Sequence, residues 1–152
     1  MGRRSTAWLL LTACLPVALA QATPGDLDPT FGTGGVVTTP VGAGSDVGYA
    51  IALQPDGRIV VAGHASNGVT NDFAVLRYDA GGVLDPTFGT GGVATTSLGT
   101  TFAFYGADVA IQPDGRIVGA GYALGAGPND IDFLVVRWLD GTPDPGFGIG
   151  GS

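Results

Sequence analysis

The chain lacks glutamate and lysine, so its 13 acidic residues are all aspartate and its six basic residues are all arginine. Glutamate and lysine are among the best helix formers. Charged residues make up only 12% of the chain, whereas glycine contributes 28 of its 152 residues. This composition disfavours long helices and indicates an all-β, turn-rich fold of ordinary single-domain size.

Cysteine and histidine each occur only once, as Cys14 and His64. One cysteine cannot form an intrachain disulfide framework. The usual metal and nucleophile sites combine a histidine with further histidine or cysteine side chains, which this chain lacks after removal of residues 1–20. We therefore expect a structural or surface role for His64. The prediction is a chain that is not an enzyme, with no catalytic, cofactor-binding or metal-binding residues and no cofactor.

The formal net charge is −7 and the sequence pI is about 4.1. Arg3 and Arg4 lie in a segment that we expect to be removed, which would make the mature chain more acidic still. An acidic surface repels phosphate backbones and anionic lipid headgroups. Neither a nucleic acid nor a membrane surface is therefore expected as a partner.

Residues 1–20 have the pattern of a secretory signal peptide. Arg3 and Arg4 precede an almost wholly apolar run, Ala7–Leu19, and Ala18-Leu19-Ala20 fits the small-x-small cleavage pattern. The run is too short to span a bilayer. We therefore expect export to the periplasm, the cell surface or the medium, without membrane insertion after cleavage.

A minor alternative is a lipoprotein. The tetrapeptide Leu11-Thr12-Ala13-Cys14 fits a lipoprotein cleavage box, after which Cys14 would be the lipidated first residue. The apolar run before Cys14 is short and continues past it to Leu19, which favours ordinary signal cleavage.

Three sequence blocks are duplicated in the same order. LDPTFGTGGV begins at Leu27 and again at Leu84, QPDGRIV begins at Gln54 and at Gln112, and DFAVLRY at Asp72 matches DFLVVRW at Asp132. Such self-similarity is the signature of a repeat architecture. The predicted organisation is a signal peptide (1–20), a short linker (21–26), two β-repeats (27–83 and 84–142) and the start of a third repeat (143–152).

Each repeat has the local chemistry of short strands. Gln54-Pro55-Asp56-Gly57 predicts a type I turn that closes a bulged hairpin, because proline presets the first central residue and glycine accepts a left-handed conformation. The same turn is expected at Gln112–Gly115. Four strands are predicted in the first repeat: Val36–Thr39, Tyr49–Leu53, Arg58–Ala62 and Phe73–Tyr78.

The predicted strands are apolar on both faces. Ile51 and Leu53 alternate with alanine, and Ile59 and Val61 alternate with Val60 and alanine. A sheet with one solvated face would instead alternate apolar and polar residues. Both faces must therefore be covered, as a propeller blade is covered by its two neighbours.

The strings LDPTFGTGG, QPDGRIVVAG and DFAVLRYD, in this order, resemble the delta-60 repeat of bacterial exported proteins. The resemblance covers nearly all of the mature chain. It implies β-propeller blades of about four antiparallel strands, an unknown biochemical role and no functional residues to carry over.

Two repeats and a third start are fewer than the four to eight blades that close a propeller. Three interpretations follow: a fragment of a longer repeat chain, an assembly of several copies, or a small two-sheet sandwich. The fold class expected here is an incomplete propeller of two blades plus a short remainder.

The aspartates and arginines recur at equivalent positions, which favours a role in the fold. Asp28, Asp85 and Asp144 lie in the same Asp-Pro turn, and Asp56 and Asp114 in the same Pro-Asp-Gly turn. The mature arginines form the repeat pairs Arg58 with Arg116 and Arg77 with Arg137. We expect them to pair with repeat carboxylates in partly buried positions, with Arg77 contacting Asp72 or Asp85.

Three features of the sequence offer alternatives in the form of ligand sites. Asp26-Leu27-Asp28 and Asp130-Ile131-Asp132 are the densest acidic clusters and could recruit calcium, although neither fits a known calcium loop. Gly32–Gly35 and Gly89–Gly92 are interpreted as turns and not as phosphate cradles, since no Lys-Ser/Thr follows. The recurring Phe31, Phe88 and Phe147 are predicted to anchor those turns, with a carbohydrate groove as the alternative.

Function follows only in outline from these observations. The leading hypothesis is an exported, non-catalytic scaffold that binds an unknown protein or carbohydrate, either as a homo-oligomer or as a fragment of a longer repeat chain. The alternative is a fragment of an extracellular carbohydrate-active propeller enzyme. Such an enzyme would need copy-specific aspartates, and the four candidates are scattered: Asp26, Asp46, Asp108 and Asp130.

Overall fold

The computed structural model describes residues 23–97, 103–124, 130–148 and Gly151. The predicted signal peptide and the alternative lipoprotein box at Cys14 lie outside these residues. The described residues form eight strands joined by turns. None of their segments is a helix long and apolar enough to cross a membrane.

Sheet 1 contains the first four strands in sequence order, each antiparallel to the next. They are β1 (Val47–Leu53), β2 (Ile59–Ser66), β3 (Asn71–Tyr78) and β4 (Val93–Thr96). The expectation of antiparallel four-stranded units is confirmed. Each sheet is out of phase with the sequence repeat, because β4 follows the second LDPTFGTGG block.

Sheet 2 repeats the arrangement. Its strands are β5 (Ala103–Ile111), β6 (Ile117–Leu124), β7 (Ile131–Leu139) and β8 (Thr142–Pro143). The last strand differs: β8 pairs through two residues of β7, whereas β4 pairs through four residues of β3. Most of the outer edge of β7 therefore lacks a neighbour among the described strands.

The hairpin turn predicted at Gln54–Gly57 is confirmed. The Gly57 backbone N–H donates to the Gln54 carbonyl at 2.9 Å, and the Gln54 N–H donates to the Arg58 carbonyl at 2.8 Å. Gly57 has a φ of 86°, a left-handed conformation that glycine adopts without strain. Gln112 and Gly115 form the same 2.9 Å bond in sheet 2.

The two sheets pack face to face around the main apolar core. The strand register places Val60, Ala62, Phe73 and Val75 on one face of sheet 1, and all four are buried. From sheet 2 the core receives Val109, Ile117, Leu134, Val136 and Trp138. The Phe73 and Trp138 rings are tilted, with centroids 5.1 Å apart, an arrangement favourable for aromatic pairs.

The opposite face of sheet 1 carries a second cluster of buried residues: Ala65, Ala74, Leu76 and Tyr78. Val37 and Val41, from the segment before β1, pack against this cluster. Sheet 1 is therefore covered on the face that meets sheet 2 and only in part on the opposite face, where Ile51 and Leu53 of β1 remain exposed.

The prediction of a strand at Val36–Thr39 is wrong. Only Val36 makes isolated bridges, to Gly32 and Thr33, and residues 37–39 belong to neither sheet. Its repeat equivalent is β4, which pairs with the preceding strand β3. No described strand precedes Val36, so the segment has no edge with which to pair.

The segment nevertheless occupies the position of a fourth strand from a preceding blade. The Tyr78 hydroxyl and Thr39 Oγ1 are 2.8 Å apart, and the Trp138 indole N–H donates to Thr96 Oγ1 at 3.1 Å. Likewise the Gly32 N–H donates to the Gly81 carbonyl at 2.9 Å, and the Gly89 N–H donates to the Asp140 carbonyl at 3.0 Å. Residues 32–39 therefore contact sheet 1 as residues 89–96 contact sheet 2.

Candidate functional site

Asp85 is the centre of an ion-pair cluster at one end of sheet 1. The Nε atoms of Arg58 and Arg77 each lie 2.9 Å from its Oδ2 atom. Its Oδ1 accepts hydrogen bonds from the Thr87 backbone N–H at 3.0 Å and the Thr87 hydroxyl at 2.7 Å. The predicted contact between Arg77 and a repeat carboxylate is thus confirmed with Asp85, and both side chains are buried.

Asp144 has the same role in sheet 2. Its Oδ2 lies 2.9 Å from Arg116 Nε and 2.9 Å from Arg137 Nη2, and its Oδ1 accepts a 2.9 Å bond from the Gly146 N–H. Each buried carboxylate is thus shared by two arginines, one that directly precedes the second strand of its sheet and one within the third strand. This pairing accounts for all four arginines of the repeats.

These contacts explain the acidity of both carboxyl groups. Hydrogen bonds from Thr87, followed by the charges of Arg77 and Arg58, lower the pKa of Asp85 to about 2. The hydrogen bond from the Gly146 backbone and the charges of Arg137 and Arg116 lower the pKa of Asp144. A general acid instead needs a raised pKa, so these carboxylates are not suited to proton donation near neutral pH.

The turn aspartates bond within their own turns. Asp56 Oδ1 accepts a 3.0 Å bond from the Arg58 N–H, Asp114 Oδ1 accepts a 3.1 Å bond from the Arg116 N–H, and each aspartate also pairs with the same arginine's guanidinium. Asp28 accepts a 2.9 Å bond from the Thr30 N–H. Within the described part of the chain, no arginine pairs with Asp28.

The calcium candidates do not gather into a ligand set in the described structure. Asp26 accepts bonds from Thr23, while Asp28 bonds to Thr30. Asp130 precedes β7 on the exposed surface, and Asp132 lies within that strand. Among the described residues, no group of three or more His, Cys, Asp or Glu side chains could hold a metal ion.

His64 is buried in β2, with its ring centroid 5.5 Å from that of Tyr49. It lines a cavity of about 150 Å³ together with Asp46, Val61 and Tyr78. Asp46 accepts hydrogen bonds from the backbone N–H groups of Val41, Gly42 and Ser66, which fixes the loop before β1. This environment gives His64 a packing role.

Two of the recurring phenylalanines, Phe88 and Phe147, anchor their Asp-Pro turns, as predicted, whereas Phe31 lines a cavity on sheet 1. Phe88 is fully buried, and the Arg77 guanidinium stacks over its ring at 4.7 Å from the centroid. Arg137 stacks over Phe147 at the same distance. The turn, its aspartate and its phenylalanine thus hold the two arginines of each sheet, which disfavours Phe88 as a carbohydrate contact. The Gly89–Gly92 turn leads into β4.

Among the described residues, an apolar surface lies on the outer face of sheet 2, defined here as Val118, Ala120, Phe133 and Val135; Phe133 and Val135 are exposed, and Val118 and Ala120 are half-buried. The register of β6 and β7 places these side chains together, opposite the face that meets sheet 1. Phe133 is 100% exposed, whereas its repeat equivalent Phe73 is 0% exposed. Exposed aromatic and aliphatic side chains grouped on one face make that face a candidate for an interaction surface.

A second apolar feature lies on the far side of sheet 1. It is a cavity of about 270 Å³, called here the sheet 1 cavity, lined by Phe31, Val37, Ile51, Ile59, Val61 and Tyr78. Ile51 is 69% exposed beside it. Residues 36–41 therefore cover this side of the sheet only in part.

The number of repeats in the sequence predicts that two stacked blades bury one mutual interface and leave two blade faces bare. The sequence pattern does not show which faces these are, because the predicted strands are apolar on both faces and the two repeats are nearly alike. The structure identifies them as the outer face of sheet 2 and the far side of sheet 1, which carries the sheet 1 cavity.

The comparisons with known proteins agree with this architecture. A family model described as a domain of unknown function (DUF5122), beta-propeller, matches residues 54–88 and 112–147. No curated protein matches the chain, and no solved structure matches it. Each matched segment runs from the hairpin turn to the Asp-Pro turn and so covers the same part of each sheet. The duplicated units of this chain are β-propeller repeats.

Proposed function

We propose that this chain is an exported, non-catalytic β-propeller module of the delta-60 type, which acts as a binding or structural scaffold for a protein or a carbohydrate. One observation carries the proposal: the buried carboxylates Asp85 and Asp144 are each held by two arginines and by backbone or hydroxyl donors of their own turns. These groups stabilise the blades, and their low pKa values keep them ionised.

The copy-specific aspartates also support a scaffold. Asp46 accepts hydrogen bonds from three backbone N–H groups. Asp26 accepts a hydrogen bond from the Thr23 backbone N–H, and Asp108 Oδ1 accepts one from the Val109 N–H at 2.8 Å. Glycoside hydrolysis needs two carboxyl groups that face each other across a substrate, one of them protonated. Asp26, Asp46 and Asp108, three of the four copy-specific aspartates, instead accept hydrogen bonds from nearby groups of the fold.

Catalysis can be tested directly. The purified chain is incubated with a panel of soluble polysaccharides while new reducing ends are measured. We expect none above a boiled control. Release of reducing ends that is lost in both Asp46→Asn and Asp108→Asn would favour the carbohydrate-active alternative. Retention of the same polysaccharides without cleavage, in affinity electrophoresis, would support a carbohydrate-binding scaffold.

Export follows from the leader sequence and has a separate test. Expression of the full chain in a bacterial host, followed by cell fractionation and mass spectrometry, should give an extracytoplasmic product that begins at Gln21. Cys14→Ala should leave that product unchanged. A product that begins at a lipidated Cys14 and is lost in this variant would establish the lipoprotein alternative.

A further inference from the structure

The core between the two sheets is made of two sets of side chains, and each set has an equivalent elsewhere in the chain. One set comes from the face that sheet 1 turns towards sheet 2: Val60, Ala62, Phe73 and Val75. Its repeat equivalents form the outer face of sheet 2: Val118, Ala120, Phe133 and Val135. Equivalent side chains thus form a buried interface on sheet 1 and an outward-facing surface on sheet 2.

The complementary set recurs around the sheet 1 cavity. The repeat equivalents of its six lining residues are, in order, Phe88, Ala94, Val109, Ile117, Gly119 and Trp138. Five of these belong to the inter-sheet core, and the sixth, Gly119, lies directly beneath the Phe73 ring. The sheet 1 cavity is therefore the unfilled counterpart of the surface that receives Phe73.

We propose that the outer face of sheet 2 docks onto the sheet 1 cavity of a second copy of this chain, head to tail. Phe133 of one copy enters the cavity against Val61 and Tyr78 of the next, as Phe73 packs against Gly119 and Trp138 within the chain. The interface between copies thereby reproduces the interface between repeats. This inference rests on the scaffold role, since it assigns the exposed face to assembly.

The sizes of the two surfaces are compatible with this docking. The cavity of about 270 Å³ exceeds the roughly 150 Å³ that accommodates benzene in a protein core. Where sheet 2 has Gly119 beside the large ring of Trp138, sheet 1 has Val61 beside the smaller ring of Tyr78. The added valine side chain is therefore balanced in part by the smaller ring.

A polar contact across the internal interface also has its counterpart. Gln54 is buried, and its Nε2 lies 3.5 Å from the Gly115 carbonyl oxygen of sheet 2. The equivalent pair between copies is Gln112 Nε2 with the Gly57 carbonyl. The docking therefore offers Gln112 the acceptor that Gln54 has within the chain.

The second copy also supplies a fourth strand. The segment Val36–Thr39 contacts sheet 1 in the way that β4 contacts sheet 2. Docking therefore brings this segment of the second copy beside the edge of β7 in the first copy, which β8 leaves largely unpaired. Extended segments commonly add to such an edge through backbone hydrogen bonds. Pairing of Val36–Thr39 with Phe133–Val136 would repeat the pairing of β4 with β3.

Only one Asp-Pro turn fits at this junction. The Asp28 turn, which precedes Val36, would take the position that the Asp144 turn holds in the preceding copy. Asp28 then forms ion pairs with Arg116 and Arg137 of the preceding copy. These replace the ion pairs of the same two arginines with Asp144, so the number and kind of ion pairs do not change. The net gain is the burial of Phe133 and the backbone pairing of Val36–Thr39.

A head-to-tail contact is heterologous, so it generates either a closed ring or a filament. Propellers close with roughly four to eight blades. With the two described blades from each copy, a closed ring contains about two to four copies.

The test measures the mass of the purified full chain by light scattering and sedimentation across a wide concentration range. Phe133→Asp places a charge on the outer face of sheet 2, and Ile51→Asp places one beside the sheet 1 cavity. Both positions are well exposed in the single chain, so neither variant should lose its fold. The matched control is Val69→Asp, at an 87% exposed residue in the β2–β3 turn.

We expect the unmodified chain and Val69→Asp to associate, and each of the other two variants to weaken association by at least about 30-fold, the equivalent of losing one buried phenylalanine side chain. An equimolar mixture of Phe133→Asp and Ile51→Asp should form a dimer, because each retains the surface that the other lacks. A monomer at every concentration, or an Ile51→Asp variant that associates normally, would overturn the proposal. The second result would indicate symmetric packing of sheet 2 on itself.

Asp28→Asn tests the exchange of turns. Asp28 is exposed and pairs with no arginine among the described residues, so the unfolding midpoint of the dilute chain should not change. Association should nevertheless weaken relative to the control Asp26→Asn, because Arg116 and Arg137 lose their incoming carboxylate. Equal association of the two variants would contradict the exchange. Hydrolysis in the polysaccharide assay would refute the scaffold role, whereas a monomer without hydrolysis would refute only the assembly.

Discussion

Phe73 and Phe133 occupy the same position in two nearly identical strands, yet the first is fully buried and the second fully exposed. Both follow an aspartate, and both pair with a residue of the preceding strand. The difference between them is the neighbour: Phe73 meets sheet 2, and no described residue covers Phe133. The comparison teaches that the role of a repeat residue depends on which blade lies next to it.

The largest difference should appear when the two phenylalanines are truncated. Phe73→Ala should lower the free energy of unfolding by about 3–5 kcal/mol, because it opens a cavity beside Trp138. Phe133→Ala should change it by less than about 0.5 kcal/mol in the dilute chain. Urea titration followed by tryptophan fluorescence measures both. Similar losses in both variants would show that Phe133 is covered within the single chain.

The Asp-Pro turns offer the next comparison. Asp85→Asn should cost about 2–3 kcal/mol, because the buried Arg77 and the half-buried Arg58 lose their shared carboxylate. Asp28→Asn should cost almost nothing, because the Asp28 turn is exposed and its bonds to Thr30 are local. Thermal unfolding of the two variants, at neutral pH and low protein concentration, makes the comparison. If Asp28→Asn proved equally destabilising, Asp28 would have a partner outside the described residues.

A smaller effect is expected from Gly119→Val, which gives sheet 2 the residue that sheet 1 has at Val61. A Cβ atom at this position would lie 2.7 Å from Phe73 Cζ and 2.9 Å from Trp138 Cζ3. The resulting overpacking should cost about 1–3 kcal/mol. Ala120→Val is the matched control, because it adds side-chain carbons to the next residue on the exposed face. The free energy of unfolding of both variants is measured by denaturant titration. A larger loss for Ala120→Val than for Gly119→Val would mean that the face of Ala120, and not that of Gly119, is the buried one.

A last comparison concerns acid. The pKa of Asp85 is lowered in the folded chain to about 2 from an ordinary value of 3.8, so its contribution to stability is present above about pH 4. That contribution is lost as the pH falls from about 4 through about 2, when the folded carboxylate takes up a proton. Melting temperatures measured across this range should fall less steeply for Asp85→Asn than for the unmodified chain. Parallel curves would mean that other carboxylates dominate the acid response.

The strands and their connecting turns could be predicted from the sequence because their causes are local. Pro55 and Gly57 fix one hairpin turn, and apolar β-formers flank it, so β1 and β2 were expected close to their observed bounds. The ion pair between Arg77 and Asp85 was also predictable, since both residues recur in every unit in a chain that has few charges.

The failure at Val36–Thr39 has a different origin. Its residues are nearly those of β4, and its turn is identical in sequence to the turn before β4. A strand, however, needs a neighbouring edge with which to exchange backbone hydrogen bonds, and β4 finds that edge on β3. Local propensity therefore cannot distinguish the two segments.

The sequence alone determined the β class, the repeat, the turn conformations and the pairing of aspartate with arginine, because each depends on residues close together in one unit. The tertiary structure decided which apolar face is buried, which copy of a strand finds a partner, and where the exposed face and the sheet 1 cavity lie. Those outcomes depend on burial by a neighbouring sheet, and near-identical units cannot specify from within themselves which of them has a neighbour.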